Sequence, residues 1–294
     1  MSSRAATPGS AVDSGAGTSP TSSLPIVHDL KIVTLASLLI ALLTAAASVA
    51  GLLFQDEIYP SEALQESFVA NDVVNLAVGL PMLLGSMWLA RRGRLVGLLF
   101  WPGALFYGLY NYLVYLLGMP FNSMYVMSLV IVTLSIYATA GLLVSIDGKA
   151  VRARLTGMVP EKPAGVILVV FGVLFMLLAA SGIADALASG DDTAGPDLAL
   201  QTVDFIVCFA WIIGGVLLWR RQALGYVSGT GLLFQASMLF VGLLAVLLLQ
   251  PLLGDAPLAL TDILTVAAMS LVSFIPLGLF LRGVSRSEAG TGKD

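Results

Sequence analysis

The chain has 294 residues, of which 58% are hydrophobic and only 11% are charged, with a net charge of -4 and a mean hydropathy of +0.95. Soluble domains carry about 25% charged residues, so most of this chain is predicted to lie in a membrane. A single histidine, His28, and a single cysteine, Cys208, exclude an intrachain disulfide, a His-based zinc or haem centre and a His-centred triad. We therefore predict no metal site, no cofactor and no nucleic-acid partner.

The chain begins with a polar segment of low complexity. Residues 1–27 are rich in Ser, Ala, Thr, Gly and Pro and show no apolar period, so we predict a disordered cytoplasmic tail. The apolar segment that follows begins near Ile32 and is too long for the hydrophobic core of a signal peptide. It is predicted to be the first membrane helix.

Eight apolar segments follow one another along the chain. A helix needs roughly 20 apolar residues to cross a bilayer, and each segment is continuously apolar rather than alternating, which argues against barrel strands. We therefore predict an all-α integral membrane protein with eight transmembrane helices. The segments lie at about 32–54, 71–90, 95–117, 124–146, 164–186, 200–219, 224–249 and 259–281.

The basic residues are confined to the ends of the chain and to alternate loops. All 14 Lys and Arg residues lie in the terminal segments or in the loops after helices 2, 4 and 6. The intervening loops carry only acidic charges, such as Glu62 and Asp197. Lys and Arg favour the cytoplasmic side of membrane proteins, so we predict a multi-pass protein of the plasma membrane with both termini in the cytoplasm.

Two stretches of the chain have the same layout. Residues 72–97 align with residues 201–226 when the sequence is shifted by 129 positions, and each stretch contains an Arg-Arg pair. We predict two four-helix repeats in the same orientation, because an even number of helices returns the chain to the same side. Repeat 1 covers 28–146 and repeat 2 covers 164–282, with a cytoplasmic linker at 147–163 and a cytoplasmic tail at 283–294.

Polar and small side chains recur at intervals of three and four residues along helices 2, 3, 6 and 7. Such a stripe is unsuited to a lipid-facing surface and is expected to face the interior of the bundle. Asp204 lies 16 residues before Arg220, about 24 Å along a helix, in a hydrocarbon core about 30 Å thick. It is therefore predicted to lie just inside the outer boundary of the membrane, and Asn75 lies at the matching depth in helix 2.

These stripes predict an outward-facing polar pocket between the two repeats. A carboxylate at that depth is costly unless it is paired, protonated or bound to a cation, and no Lys or Arg is predicted on the outer side. We therefore predict a membrane protein that binds or moves a small solute, a cation or a lipid through this pocket. The candidate ligand-binding residues are Asp72, Asn75, Tyr107, Asn111, Asp204, Gln235 and Asp262.

Other interpretations of the same residues stay open. Asp72 and Asp262 are also suited to capping helix N-termini in solvent, and the amides are suited to packing between helices. The protein would then be a non-catalytic scaffold or assembly subunit. A membrane-embedded enzyme with Asp72 and Asp204 as acid and base is less favoured, because no catalytic motif accompanies them. We predict no catalytic residue; the predicted partner is the lipid bilayer, and the sequence allows an oligomer.

Overall fold

The computed structural model describes residues 24–189, 195–253 and 258–291, and this part of the chain folds into helices. Seven of the described helices are long and apolar enough to cross a membrane. Large apolar side chains cover much of the outer surface, among them Ile32 at 83% and Leu271 at 62% exposure. Such a surface suits lipid rather than water, so the chain is a polytopic, all-α membrane protein by helix length and composition.

The first half of the chain runs from α1 to α6. A π-helical turn, Asn75–Gly79, joins α3 and α4 into one continuous rod from Glu62 to Arg91. The bounds are α1 Lys31–Leu53, α2 Gln55–Ile58, α3 Glu62–Val74, α4 Leu80–Arg91, α5 Leu95–Gly118 and α6 Ser123–Ser145.

The rod begins well before the predicted span at 71–90. The side chain of Ser61 accepts a hydrogen bond from the backbone N–H of Leu64 at 3.4 Å and so caps the helix. Leu64 and Phe68 are buried on one face of its first turns. This extension therefore packs as an amphipathic helix, which a search for continuous apolar residues does not detect.

The second half of the chain runs from α7 to α11. Its four long helices, α8 to α11, each meet the length and hydropathy of a membrane span. The bounds are α7 Gly148–Leu155, α8 Glu161–Ser189, α9 Pro196–Trp219, α10 Ala223–Leu253 and α11 Leu260–Thr291.

The predicted linker at 147–163 contains α7 and the start of α8. The carboxylate of Asp147 caps α7, because it accepts hydrogen bonds from the N–H groups of Lys149 and Ala150, both at 3.0 Å. Val151 and Leu155 are fully buried, whereas Lys149 is exposed. The linker is thus a short amphipathic helix that lies against the bundle.

The N-terminal segment is held in place shortly before α1. The backbone N–H of Val27 donates to the carbonyl of Ser145 at 2.8 Å, and that of Asp147 donates to the carbonyl of Pro25 at 2.9 Å. The start of α1 therefore lies beside the end of α6. Of the two predicted tails, residues 1–23 and 292–294 lie outside the described part of the chain.

Helix α5 occupies the centre of the bundle. It packs against α4, α6, α9 and α10, and its buried residues include Leu98, Trp101, Tyr112 and Tyr115. Because Tyr, Trp, Pro and Asn lower its hydropathy, α5 is not among the seven helices that qualify as spans. Neighbouring helices accept hydrogen bonds from several of its side chains: the indole N–H of Trp101, for example, donates to the Ser37 hydroxyl at 3.0 Å.

Helices α5 and α10 cross with their backbones in contact. The crossing point is Gly103 against Gly231, where a Cβ atom on either residue would meet the backbone of the other. The rings of Phe100 and Phe234 stack beside it, with centroids 4.0 Å apart. Small residues permit this close approach of helices in membranes, so the two glycines allow the central pair of helices to touch.

Two turns of the chain, after α4 and after α9, have the same backbone geometry. Each closes with the two backbone hydrogen bonds of a Schellman motif. The residue in the left-handed conformation is Gly93 (φ +75°) in the first turn and Arg221 (φ +54°) in the second. The bonds join Gly93 to Ala90 (2.9 Å) and Arg94 to Leu89 (3.0 Å) after α4, and Arg221 to Leu218 (2.9 Å) and Gln222 to Leu217 (2.9 Å) after α9.

The carboxylate of Glu288 on α11 caps the N-terminus of α5. It accepts hydrogen bonds from the backbone N–H of Leu95 at 2.5 Å and from Nε of Arg94 at 2.8 Å. A carboxylate at this position also meets the positive end of the helix dipole. The last helix of the described chain is thereby fastened to the first half.

Replacing Glu288 with alanine is expected to lower the free energy of unfolding by about 1 kcal/mol, the usual contribution of a helix cap. Thermal unfolding in detergent, followed by tryptophan fluorescence, measures this loss. Glu66→Ala is the matched control, since Glu66 is exposed on α3. Equal stability of the two variants would contradict the capping role.

Glu161 lies against the second turn and contacts it through side chains. It is 4% exposed, accepts a hydrogen bond from the Tyr226 hydroxyl at 2.9 Å and pairs with Arg221 at 3.7 Å. Both turns belong to one end of the bundle, and the Lys and Arg residues of the described chain lie at or near it. We call it the basic end, and we call the opposite end, where α3 and α9 begin, the acidic end.

Candidate functional site: a cavity between the two halves

A cavity of about 330 Å³ lies between α3, α5, α8, α9 and α10, toward the acidic end. Its volume falls in the range of small-molecule sites, about 300–1,000 Å³. Along α9 the chain first reaches two lining carboxylates, Asp197 and Asp204, and then Trp211, which belongs to an aromatic wall deeper in the cavity. The lining includes Ser67, Asn71, Tyr107, Tyr110, Asn111, Phe175, Asp197, Asp204, Cys208, Trp211, Phe240 and Gln250.

Asp204 is the deeper of the two carboxylates that line this cavity. Its Oδ1 accepts a hydrogen bond from the hydroxyl of Tyr110 on α5 at 2.7 Å. Among the described residues none donates to its Oδ2, so the second oxygen is available to a ligand. The contact joins α9 to α5 across the interface between the halves.

Tyr107 and Asn111 line the cavity from α5. The Asn111 side-chain amide donates to the Tyr107 carbonyl at 3.1 Å, one helical turn earlier. The Tyr107 ring lies against Gly79 of the π-helical turn and its hydroxyl against Gly242 of α10, where a Cβ atom would lie 2.8 Å from the hydroxyl oxygen. These two glycines make room for the ring that forms one wall.

Gln235 lies next to the cavity rather than in its lining. Its Oε1 accepts a hydrogen bond from the indole N–H of Trp211 at 2.7 Å, and Trp211 forms part of the cavity wall. The Gln235 side chain is fully buried, and its Nε2 has no partner in the described part of the chain. Gln235 therefore positions Trp211.

Asp72 lies outside the cavity lining, in a separate buried cluster. It is 1% exposed, and its carboxylate accepts hydrogen bonds from the hydroxyls of Tyr59 at 2.5 Å and Tyr115 at 2.8 Å. Gly51 of α1 packs directly against the same carboxylate. Burial, and then the neighbouring carboxylate, raise the pKa of the Tyr59 phenol well above its usual value, so this hydroxyl stays a donor.

Asn75 and Asp262 also lie outside the lining. Asn75 is 2% exposed in the π-helical turn and borders a separate small cavity of about 20 Å³, which has space for about one water molecule. Asp262 is exposed in the first turn of α11, where the helix dipole favours a carboxylate. Of the seven predicted residues, the structure brings Tyr107, Asn111 and Asp204 together in the cavity.

Tyr110, Trp211, Asp197 and Asn71 are four of the lining residues outside the predicted set, and the sequence carried a signal for the first two. Tyr110 follows Tyr107 by three positions and Trp211 follows Asp204 by seven, so helical spacing puts each on its neighbour's face. Asp197 was assigned to a loop, because the predicted span began at 200 and α9 begins at Pro196. The fourth, Asn71, lies one residue from a predicted position but no pattern singled it out.

The arrangement of acidic groups limits the chemistry of the site. Asp72 does not line the cavity that contains Asp204, so these two carboxylates do not face a common space as an acid and a base must. In the described residues no three His, Cys, Asp or Glu side chains converge as metal ligands would. The chain matches no protein-family model, no curated protein and no solved structure.

Proposed function

We propose that the protein binds a small solute, a cation or a lipid in the cavity between its two halves, and that this cavity opens to the outside of the cell. The observation that carries the proposal is Asp204, a carboxylate within a membrane-spanning helix that lines a cavity of about 330 Å³ with no Lys or Arg beside it. An ionisable group at such a position is rarely retained without a function. A scaffold subunit has no need of an open cavity at this interface.

The proposal includes eight membrane spans, with α5 as the eighth. Helix α5 has 24 residues, about 36 Å at 1.5 Å per residue, which exceeds a hydrocarbon core of about 30 Å. It starts at the basic end, where Glu288 caps it, and reaches the Asp72 cluster through Tyr115. Its low hydropathy is tolerable because other helices, rather than lipid, surround it.

Two parallel repeats are the second part of the proposal, with α1 to α6 in one and α8 to α11 in the other. The two Schellman turns support this arrangement, since they have the same hydrogen bonds at the same end. A second matched contact supports it at the acidic end. Gly51 of α1 packs against Asp72, and Gly182 of α8 packs against the side-chain amide of Gln201.

The π-helical turn explains why the two repeats align with a shift at the glycine contacts that differs by one residue from the shift at the turns. The glycine contacts pair Asp72 with Gln201, a shift of 129, whereas the turns pair Arg92 with Arg220, a shift of 128. The first repeat therefore has one more residue between the two points. A π-helical turn takes up an additional residue within a helix, and Asn75–Gly79 lies between them.

An acidic side chain lies against the equivalent turn of each repeat. Glu288, at the end of the second half, contacts the turn of the first half. Glu161, the first residue of α8, contacts Arg221 in the turn of its own half. A carboxylate at each turn supports two similar units, which an axis along the membrane normal would relate.

The orientation that we propose follows from the charges. The basic end faces the cytoplasm, in agreement with the preference of Lys and Arg for that side, so both termini are cytoplasmic in a plasma-membrane protein. The acidic end then faces outward. The mouth of the cavity, near Asp197 and Gln250, opens on that outer side.

The lone cysteine of the chain provides a direct test. Cys208 is 2% exposed and borders the cavity, so its thiol is reached through the cavity, and in intact cells or oriented vesicles a small, membrane-impermeant, positively charged thiol reagent is expected to modify it from the outside. Thiol modification requires access to water, so labelling measures whether the cavity is hydrated. Mass spectrometry of the purified protein quantifies the modified fraction over time.

A second cysteine position on α9 gives the matched control. Ile206 is 52% exposed on the outer surface of the bundle, only two positions from Cys208. An Ile206→Cys, Cys208→Ala variant is expected to react about tenfold more slowly, because its thiol faces lipid. If Cys208 and the Ile206→Cys thiol react equally slowly, the cavity is closed to the outside and the proposed function is wrong.

A further inference from the structure

We infer that the ligand of this cavity is an amphipathic organic cation, with an ammonium or similar group at Asp204 and an apolar body against the wall formed by Trp211 and Phe175. The inference rests on the proposed function and specifies its ligand. It follows from the charge, the free acceptor and the shape of the site.

The charges that line the cavity are of one sign. Asp197 and Asp204 are its charged lining residues, and neither Lys nor Arg belongs to the lining. In a medium of low polarity this field attracts a cation and repels an anion. The basic residues of the described chain lie toward the other end of the bundle and cannot neutralise it.

The free acceptor is Oδ2 of Asp204. Oδ1 already receives the Tyr110 hydroxyl at 2.7 Å, and no described residue donates to the other oxygen. A carboxylate inside a membrane protein is expected to have a cationic or hydrogen-bonding partner. A ligand N–H or N-alkyl cation would complete its environment.

The shape of the site distinguishes an organic cation from a bare ion. A cavity of about 330 Å³ is far larger than one ion requires, and no three acidic, His or Cys side chains converge among the described residues. Trp211 follows Asp204 by seven residues, about 10 Å deeper along α9. The ligand must therefore extend from the carboxylate toward the middle of the bundle.

The deep part of the cavity is apolar and aromatic. Phe175 meets the Trp211 ring edge-to-face at 6.0 Å and lies 6.1 Å from Phe240, and Tyr107 closes another side. Such a wall favours a hydrocarbon body, and aromatic faces also attract alkylammonium groups. A compact hydrophilic cation would leave this wall without a partner.

Protection of Cys208 from a thiol reagent tests the ligand class with defined probes. Hexyltrimethylammonium is expected to slow labelling, whereas hexyl sulfate and hexanol, which have the same chain but a negative or no charge, leave the rate unchanged. Tetramethylammonium, which lacks the apolar body, is expected to need a higher concentration. These comparisons use the wild-type protein in lipid nanodiscs and need no variant.

The Asp204→Asn variant tests whether Asp204 is the residue that binds the cation. It keeps an oxygen for Tyr110 but loses the charge, so the half-protecting concentration of hexyltrimethylammonium is expected to rise about tenfold, as for one charge-assisted hydrogen bond. Asp197→Asn is the matched control: Asp197 is exposed at the mouth, where solvent screens its charge, and a smaller change is expected.

The outcomes separate this inference from the proposed function. Equal protection by hexyl sulfate, hexanol and hexyltrimethylammonium, or an unchanged half-protecting concentration in Asp204→Asn, would overturn the cation inference while a labelled Cys208 still supports an open cavity. Failure of Cys208 to react in the absence of any protecting compound would overturn both.

Discussion

Replacing Asp72 with alanine is expected to destabilise the protein more than any other single substitution considered. The change leaves the Tyr59 hydroxyl without its acceptor, and it leaves the Tyr115 hydroxyl with only the longer bond to the Phe68 carbonyl at 3.3 Å, in a site where Asp72 is 1% exposed. Each buried donor left unpaired costs about 1–3 kcal/mol, so we expect a loss of about 3–5 kcal/mol in the free energy of unfolding once the small void is included. Unfolding by SDS in mixed micelles measures it.

Two comparisons isolate the hydrogen bonds of this cluster. Asp72→Asn keeps the volume and one good acceptor and is expected to cost only about 1–2 kcal/mol. Asp197→Ala removes an exposed carboxylate at the same end of the bundle and is expected to stay within about 0.5 kcal/mol of wild type. A loss of less than about 1 kcal/mol for Asp72→Ala would show that the Tyr59–Asp72–Tyr115 cluster does not hold the first half together.

The double-mutant cycle of Asp72→Asn with Tyr115→Phe examines the pair directly. Residues that share a hydrogen bond show coupling of about 0.5–3 kcal/mol, whereas independent residues add. Coupling in that range is the expected result, because the Tyr115 hydroxyl lies 2.8 Å from the Asp72 carboxylate. Simple additivity would assign the effect of Asp72→Ala to packing alone.

Gly103→Ala is the second substitution with a large expected effect. The new methyl group would lie well inside the contact distance of the Gly231 carbonyl oxygen. Backbone atoms in the middle of a helix cannot move aside as a side chain can, so α5 and α10 must separate. Overpacking of this kind typically costs about 1–3 kcal/mol, and we expect a loss at the upper end of that range, measured by the same unfolding assay.

Gly108→Ala is the control for Gly103→Ala. Gly108 lies on the same helix, and a Cβ atom there would have no other atom within 4 Å. Alanine favours a helix over glycine by about 0.5–1 kcal/mol, so this variant is expected to be as stable as wild type or more stable. If both alanine variants behave alike, the contact between Gly103 and Gly231 does not determine how the two halves pack.

About half of the predicted site can be understood from helical spacing alone. Tyr107, Asn111 and Asp204 were singled out because each lies on a polar stripe, and all three line the cavity. Asp72 lies on the same stripe as Asn75, yet its carboxylate turns to Tyr59 and Tyr115. Spacing identifies a helix face, but it does not say which neighbouring helix that face meets.

The predicted helix boundaries show a similar division. Hydropathy locates the apolar part of the second span. The helix extends further back, to Glu62, and hydropathy does not detect this extension because its first turns bury only one face. Helix α5 corresponds to the predicted span at 95–117, yet it is not among the seven helices that meet the hydropathy of a span. Its aromatic and polar residues place it below the hydropathy of a span, and its helical neighbours allow it to lie at the centre.

Hydropathy and composition are properties of each segment alone, so the amino-acid sequence is sufficient to predict an all-α, multi-pass membrane protein. The positions of the two carboxylates follow from packing: Asp204 lines a cavity with Tyr110 and Trp211, whereas Asp72 is enclosed by two tyrosines. A buried carboxylate is defined by its partners, and those partners come from other helices whose packing depends on contacts such as Gly103 with Gly231.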